Sequence, residues 1–76
     1  MTERMLATMQ AVVYIGDRLK TLRIRRALTQ EELAQRAGLS KNAVNRLEVD
    51  KAEPRMSTLR KLAKALDVDP AELIEE

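Results

Sequence analysis

The chain has no cysteine and no histidine. The first absence excludes a disulfide framework and any thiolate zinc site. The second leaves carboxylates as the only ionisable metal ligands. It also removes the usual base that activates a serine or threonine nucleophile. Aromatic residues are reduced to Tyr14, and there are only two glycines and two prolines. That supply is too small for a series of β-hairpins. No glycine-rich loop exists to cradle a nucleotide. The paired acids Glu31 and Glu32 suit a helix start better than general acid–base work. No metal, cofactor or enzymatic activity is therefore expected. No run reaches the roughly 18 apolar residues of a membrane span. The most apolar stretch, residues 5–15 (MLATMQAVVYI), is broken by Gln10, preceded by one arginine and followed by no small-residue cleavage site, which argues against export. A cytoplasmic protein with no membrane association is expected, and the missing thiols fit a reducing compartment.

What remains is a chain of 76 residues, enough for one domain. No small-molecule effector is expected. Its core must come from Leu, Ile, Val, Met and Ala, mostly good helix formers, so the expected fold class is all-α. The net charge of +2 is unevenly spread. Residues 65–76 hold five acids and no base; setting those five charges aside leaves +7 on residues 1–64. A basic body with an acidic end suggests a polyanionic partner on one face. A solvated charged surface is the plain alternative.

Residues 1–14 form a Met-rich leader, and residues 15–76 form the expected domain. Met5, Met9 and Val12 suit a helix, whereas Ala11 to Ile15 suit a short strand equally well. From Ile15 onward the period is helical. Ile15, Leu19 and Leu22 mark a first helix running to about Arg26. Thr29-Gln-Glu-Glu32 is a capping box opening a second helix, with Leu33, Ala34 and Ala37 inward. Gly38 ends it, and Ser40 caps a third helix with Val44 and Leu47 inward. Asp50 to Pro54 is a loop. Leu59, Leu62, Ala63 and Leu66 mark a fourth helix, and Asp69-Pro70-Ala71-Glu72 starts a short fifth one.

Two short helices around Gly38-Leu39-Ser40 form an angled pair. Ala34 is small where the axes approach, Gly38 supplies the turn, and Leu33, Ala37, Leu39, Val44 and Leu47 form the shared inner face. Lys41, Asn42, Asn45 and Arg46 then project outward from the third helix. Arg and Lys donate to guanine O6 and N7, and Asn pairs with adenine N6 and N7. An αα-hairpin with a solvated polar face is the alternative. Such faces are usually rich in Glu–Lys pairs, and this one has no acid before Glu48.

The string LTQEELAQRAGLSKNAVNRLE, residues 28–48, resembles the phage repressor/Cro-like (Xre-type) helix-turn-helix family. The likeness covers residues 15–74, about four-fifths of the chain. It implies a five-helix domain that regulates transcription by binding double-stranded DNA as a dimer on a palindromic operator. Base reading is implied for Lys41, Asn42 and Arg46, with Asn45 adjacent. Phosphate binding is implied for Gln30 and Thr29 at the start of the second helix. The resemblance implies the same phosphate-binding role for Ser40, Arg23, Lys51 and Arg55. The resemblance also sets Arg23 across from Glu48 as an ion pair.

The chain departs from the family pattern at Ala27 and Asp50, which stand where glycine is usual. The leader at residues 1–14 is longer than such a DNA-binding core requires, and the resemblance assigns it no role. Two further functions stay open: an antitoxin-type regulator that also binds a toxin partner, and a protein-interaction module on the same fold. For a homodimer, both ends offer apolar surface: Met5, Leu6, Met9, Val12 and Val13 in the leader, and Leu73 and Ile74 at the other end. At least one of the last two is expected to close the core instead.

Overall fold

The computed structural model describes residues 14–49 and 52–74. The leader up to Val13, Asp50 and Lys51 lie outside the described residues, as do Glu75 and Glu76. Among the described residues there are five helices and no strand: α1 (Gly16–Arg25), α2 (Gln30–Ala37), α3 (Lys41–Val49), α4 (Met56–Leu66) and α5 (Pro70–Ile74). The order and spacing follow the periodicity of the sequence, and α1 stops one residue before the expected Arg26.

Of the residues assigned to an inner face, Ile15, Leu19 and Leu22 from α1 and its lead-in, Leu33, Ala34 and Ala37 from α2, Val44 and Leu47 from α3, and Leu59, Leu62, Ala63 and Leu66 from α4 are buried, whereas Leu39 is half-buried and packs against the core. Each fully buried leucine contributes roughly 1.5–3 kcal/mol. Leu73 of α5 is fully buried and closes the core, whereas Ile74 keeps 43% of its surface exposed. α2 packs on α3 and α4, α1 on α3 and α5, and α5 also on α4. The angled α2–α3 pair therefore rests on α1 and α4, which α5 in turn braces.

Three of the helices end in the same way. Ala27 (φ 57°), Gly38 (φ 71°) and Asp67 (φ 58°) are left-handed. The residue after each turns its N–H back to the carbonyl five residues earlier: Leu28 to Arg23 at 3.1 Å, Leu39 to Ala34 at 2.8 Å, Val68 to Ala63 at 3.0 Å. Leu28 is buried, and Leu39 and Val68 pack against the core. This is the Schellman arrangement, in which an apolar residue just past the turn anchors the helix end. Only one of the three positions is glycine. At Ala27 the fold holds a residue whose Cβ opposes that conformation.

Gly16 has a different reason to be glycine. A Cβ there would stand 2.7 Å from the carbonyl oxygen of Glu48 and 2.9 Å from that of Leu47. The first turn of α1 thus lies directly against the end of α3.

Two substitutions test these assignments by urea denaturation. Gly16→Ala forces α3 backbone to move and should destabilise by about 1–3 kcal/mol. Ala27→Gly removes left-handed strain and should stabilise by up to about 1 kcal/mol. An unchanged midpoint for Gly16→Ala, or a loss for Ala27→Gly, contradicts the respective account.

Candidate nucleic-acid interface

The α2–α3 pair is built by local chemistry before tertiary contacts act. The Thr29 hydroxyl oxygen accepts from the Glu32 N–H at 3.0 Å, and the Thr29 N–H donates to Glu32 Oε1 at 2.8 Å. These bonds satisfy donors the helix start would leave orphaned. The bond from the Thr29 backbone, then the one from its side chain, hold the Glu32 carboxyl below its usual range, with a smaller contribution from the charge of Arg36. Ser40 Oγ accepts from the Ala43 N–H at 3.1 Å and starts α3. Capping uses a lone pair of the Ser40 hydroxyl, so its proton stays available to a phosphate oxygen.

Val44 and Leu47 hold the inner side of α3, and Lys41, Asn42, Asn45 and Arg46 are exposed on it. The four proposed base-reading residues thus stand on one short, solvent-facing surface. Arg46 and Arg55 line a shallow concavity together with Leu39, Ala43, Glu53 and Thr58, which brings the loop before α4 beside the helix. Lys51, assigned to phosphate, lies outside the described residues.

The expected pair between Arg23 and Glu48 is present, and two-pronged. Arg23 Nε donates to Glu48 Oε2 at 2.7 Å and Nη2 to Oε1 at 3.1 Å. Nη1 donates to the Leu28 carbonyl at 2.7 Å. The two side chains are 12% and 1% exposed, so this guanidinium is turned inward. Gln30 joins the same group: its Nε2 donates to Glu48 Oε1 at 3.0 Å, and its Oε1 accepts from Asn45 Nδ2 at 3.2 Å. One Nε2–H of Gln30 is left for a phosphate. Pairing of Gln30 with Asn45, fifteen residues apart, had no signal in the sequence.

The charge distribution also differs from the simple basic body. Arg18 donates from Nε to the Glu72 carbonyl at 2.9 Å, tying α1 to α5. Arg26 donates to the Leu66 carbonyl at 2.8 Å and to the Asp67 carbonyl at 3.2 Å, covering the end of α4. With Arg23, three arginines of the first helical segment serve as internal staples. A second concavity, lined by Arg36, Lys61 and Lys64 among others, contains no residue of α3. Positive charge is therefore not confined to the face that carries α3. No helix of the described residues is long and apolar enough to cross a membrane, and no cluster of potential metal ligands occurs among them.

Comparison with known proteins gives a consistent picture. Residues 19–73 match the family model described as Helix-turn-helix. The immunity repressor protein of Bacillus phage phi105 is 37% identical over 62 residues, covering 82% of this chain and 43% of the repressor. The chain thus spans less than half the length of that relative. The restriction-modification controller protein C.AhdI from Aeromonas hydrophila is similar in structure, with a TM-score of 0.75 and 39% identity over 80% of this chain and 92% of that one. The P22 c2 repressor, solved in complex with the synthetic operator 9T, has a TM-score of 0.74 and 30% identity, again covering 80% and 92%.

The buried pair carries its own test. Arg23→Met leaves the Glu48 carboxylate without its cation and should cost about 3–5 kcal/mol. Adding Glu48→Leu removes the stranded charge and should recover much of that loss. A double variant as unstable as the sum of the single ones rules this out.

Proposed function

The chain belongs to the helix-turn-helix family, and we propose that it binds double-stranded DNA sequence-specifically and regulates transcription, with α3 lying in the major groove. The observation that carries this reading is the exposed surface of Lys41, Asn42, Asn45 and Arg46 on a helix whose opposite side is locked in the core. Two cationic donors and two amides supply the groups that match guanine and adenine edges. Gln30, Thr29, Ser40 and Arg55 surround that surface as phosphate partners, and Lys51, outside the described residues, is proposed for the same role. Arg23 acts there through Glu48, because three of its five N–H groups are already committed.

The operator is proposed to be a palindrome bound by a homodimer. One helix of this length reaches only a few base pairs, and a two-fold pair doubles the readout. Because Leu73 is spent on the core, the proposed mating surface draws on Ile74 and the leader.

Two measurements test the proposal. Operator affinity should fall steeply with salt, with a slope of log K against log salt of about 0.9 per phosphate neutralised. Affinity that is flat between low and physiological salt rules out the phosphate contacts. Arg46→Ala should cost about 1–3 kcal/mol at one base position and relax preference there. The assignment of Arg46 to base reading is falsified if the selected sequence is unchanged.

A further inference from the structure

Two primary amides, Gln30 and Asn45, stand in line between the buried Glu48 carboxylate and the exposed side of α3. We propose that Asn45 reads an adenine, and that Glu48 and Gln30 are positioning residues that decide which way its amide faces. The assignment rests on the DNA-binding reading and goes beyond it in stating how one reading group is oriented.

The reasoning is one of hydrogen-bond direction. A carboxylate offers only acceptors, whereas an amide has a donor end and an acceptor end. Glu48 is already oriented by Arg23, which holds Oε2 at 2.7 Å and Oε1 at 3.1 Å. Arg23 in turn is held by the Leu28 carbonyl at 2.7 Å. Gln30 must therefore turn its N–H to Glu48 Oε1, as it does at 3.0 Å. The opposite flip would set two acceptor oxygens against each other beside a carboxylate that is 1% exposed. With its nitrogen so committed, Gln30 presents Oε1 to Asn45, and Asn45 must answer with an N–H, as it does at 3.2 Å. The order of donor and acceptor on Asn45 is thus inherited from a charge two side chains away.

What Asn45 keeps free is Oδ1 and its second Nδ2–H, on an exposed residue. That acceptor and donor complement adenine N6–H and N7. An untethered asparagine would present the same two groups in either order. The tether selects one order and reduces the side-chain freedom lost on binding.

The test is selection of bound DNA from a random pool by the full-length chain and by three variants: Asn45→Ala, Gln30→Met and the double substitution. Methionine matches the length of glutamine without its amide. The expected result is an adenine position in the wild-type motif that Asn45→Ala abolishes. Gln30→Met, which also removes a phosphate contact and so lowers affinity overall, should lower discrimination at that position on the order of tenfold and leave the relative preferences at the other positions intact. The double variant should show no further loss there. In the free protein, the Asn45 side-chain amide resonances should move toward their unstructured values in Gln30→Met, with the backbone spectrum preserved. The positioning role is overturned if Gln30→Met weakens all sequences alike and keeps the adenine preference, or if the Asn45 amide resonances do not respond. A wild-type motif that survives Asn45→Ala overturns the assignment of Asn45 alone. Failure of the wild-type chain to select any sequence overturns the DNA-binding reading itself.

Discussion

Glu48 receives three hydrogen bonds on a side chain almost wholly withdrawn from water: two from Arg23 of α1 and one from Gln30 of α2. It sits near the end of α3, so one carboxylate ties together the three helices that define the proposed DNA-facing surface. Burying a charge is costly unless it is paired and fully hydrogen-bonded, and here the guanidinium approaches edge-on with two parallel bonds. No buried side-chain polar atom among the described residues lacks a partner. The arrangement has one low-energy geometry, because each donor is aimed at a specific acceptor. It thereby fixes where α3 lies relative to α1 and α2.

Gly16 enforces the same geometry by steric means. The carbonyl groups of Leu47 and Glu48 occupy the space a side chain would take, so α1 and α3 meet backbone to backbone at the residue that carries the charge. Around this contact the fold spends arginines as ties. Arg18 and Arg26 donate to main-chain carbonyls of α5 and of the α4 end. In a small all-helical domain with one aromatic residue, such ties add directional restraint to a core built of aliphatic contacts. They also lower the number of cations free to meet a phosphate backbone, so formal charge overstates the electrostatic footprint.

A surface meant to discriminate bases must hold its donors and acceptors in place before the partner arrives, since each side chain ordered on binding costs affinity. Along α3 the side chains differ in this respect. Asn45 is tethered through Gln30 to the buried pair. Lys41, Asn42 and Arg46 are exposed, and their side chains have no hydrogen bond or ion pair to another described residue. The surface thus combines one pre-oriented amide with longer, adaptable side chains.

Helix order, the inner faces and the caps were legible in the sequence by itself. They depend on contacts within one or two turns: the i, i+4, i+7 recurrence of Leu and Ala, the Thr29–Glu32 box, and Ser40 and Asp69 as N-caps, the latter accepting from the Ala71 N–H at 3.1 Å. The family resemblance added the long-range pair of Arg23 with Glu48 and marked Ala27 as a departure, and the structure shows that position as left-handed all the same. Only the tertiary structure decided the rest. That Gly16 is a contact glycine depends on α3 carbonyls more than thirty residues away. That Arg18 and Arg26 staple helices depends on main-chain acceptors, which carry no side-chain signature. That Asn45 faces Gln30 depends on the angle between α2 and α3. Local hydrogen bonds and hydrophobic period are written in neighbouring residues, whereas the partners of a polar side chain are set by which backbones the packed core brings within reach.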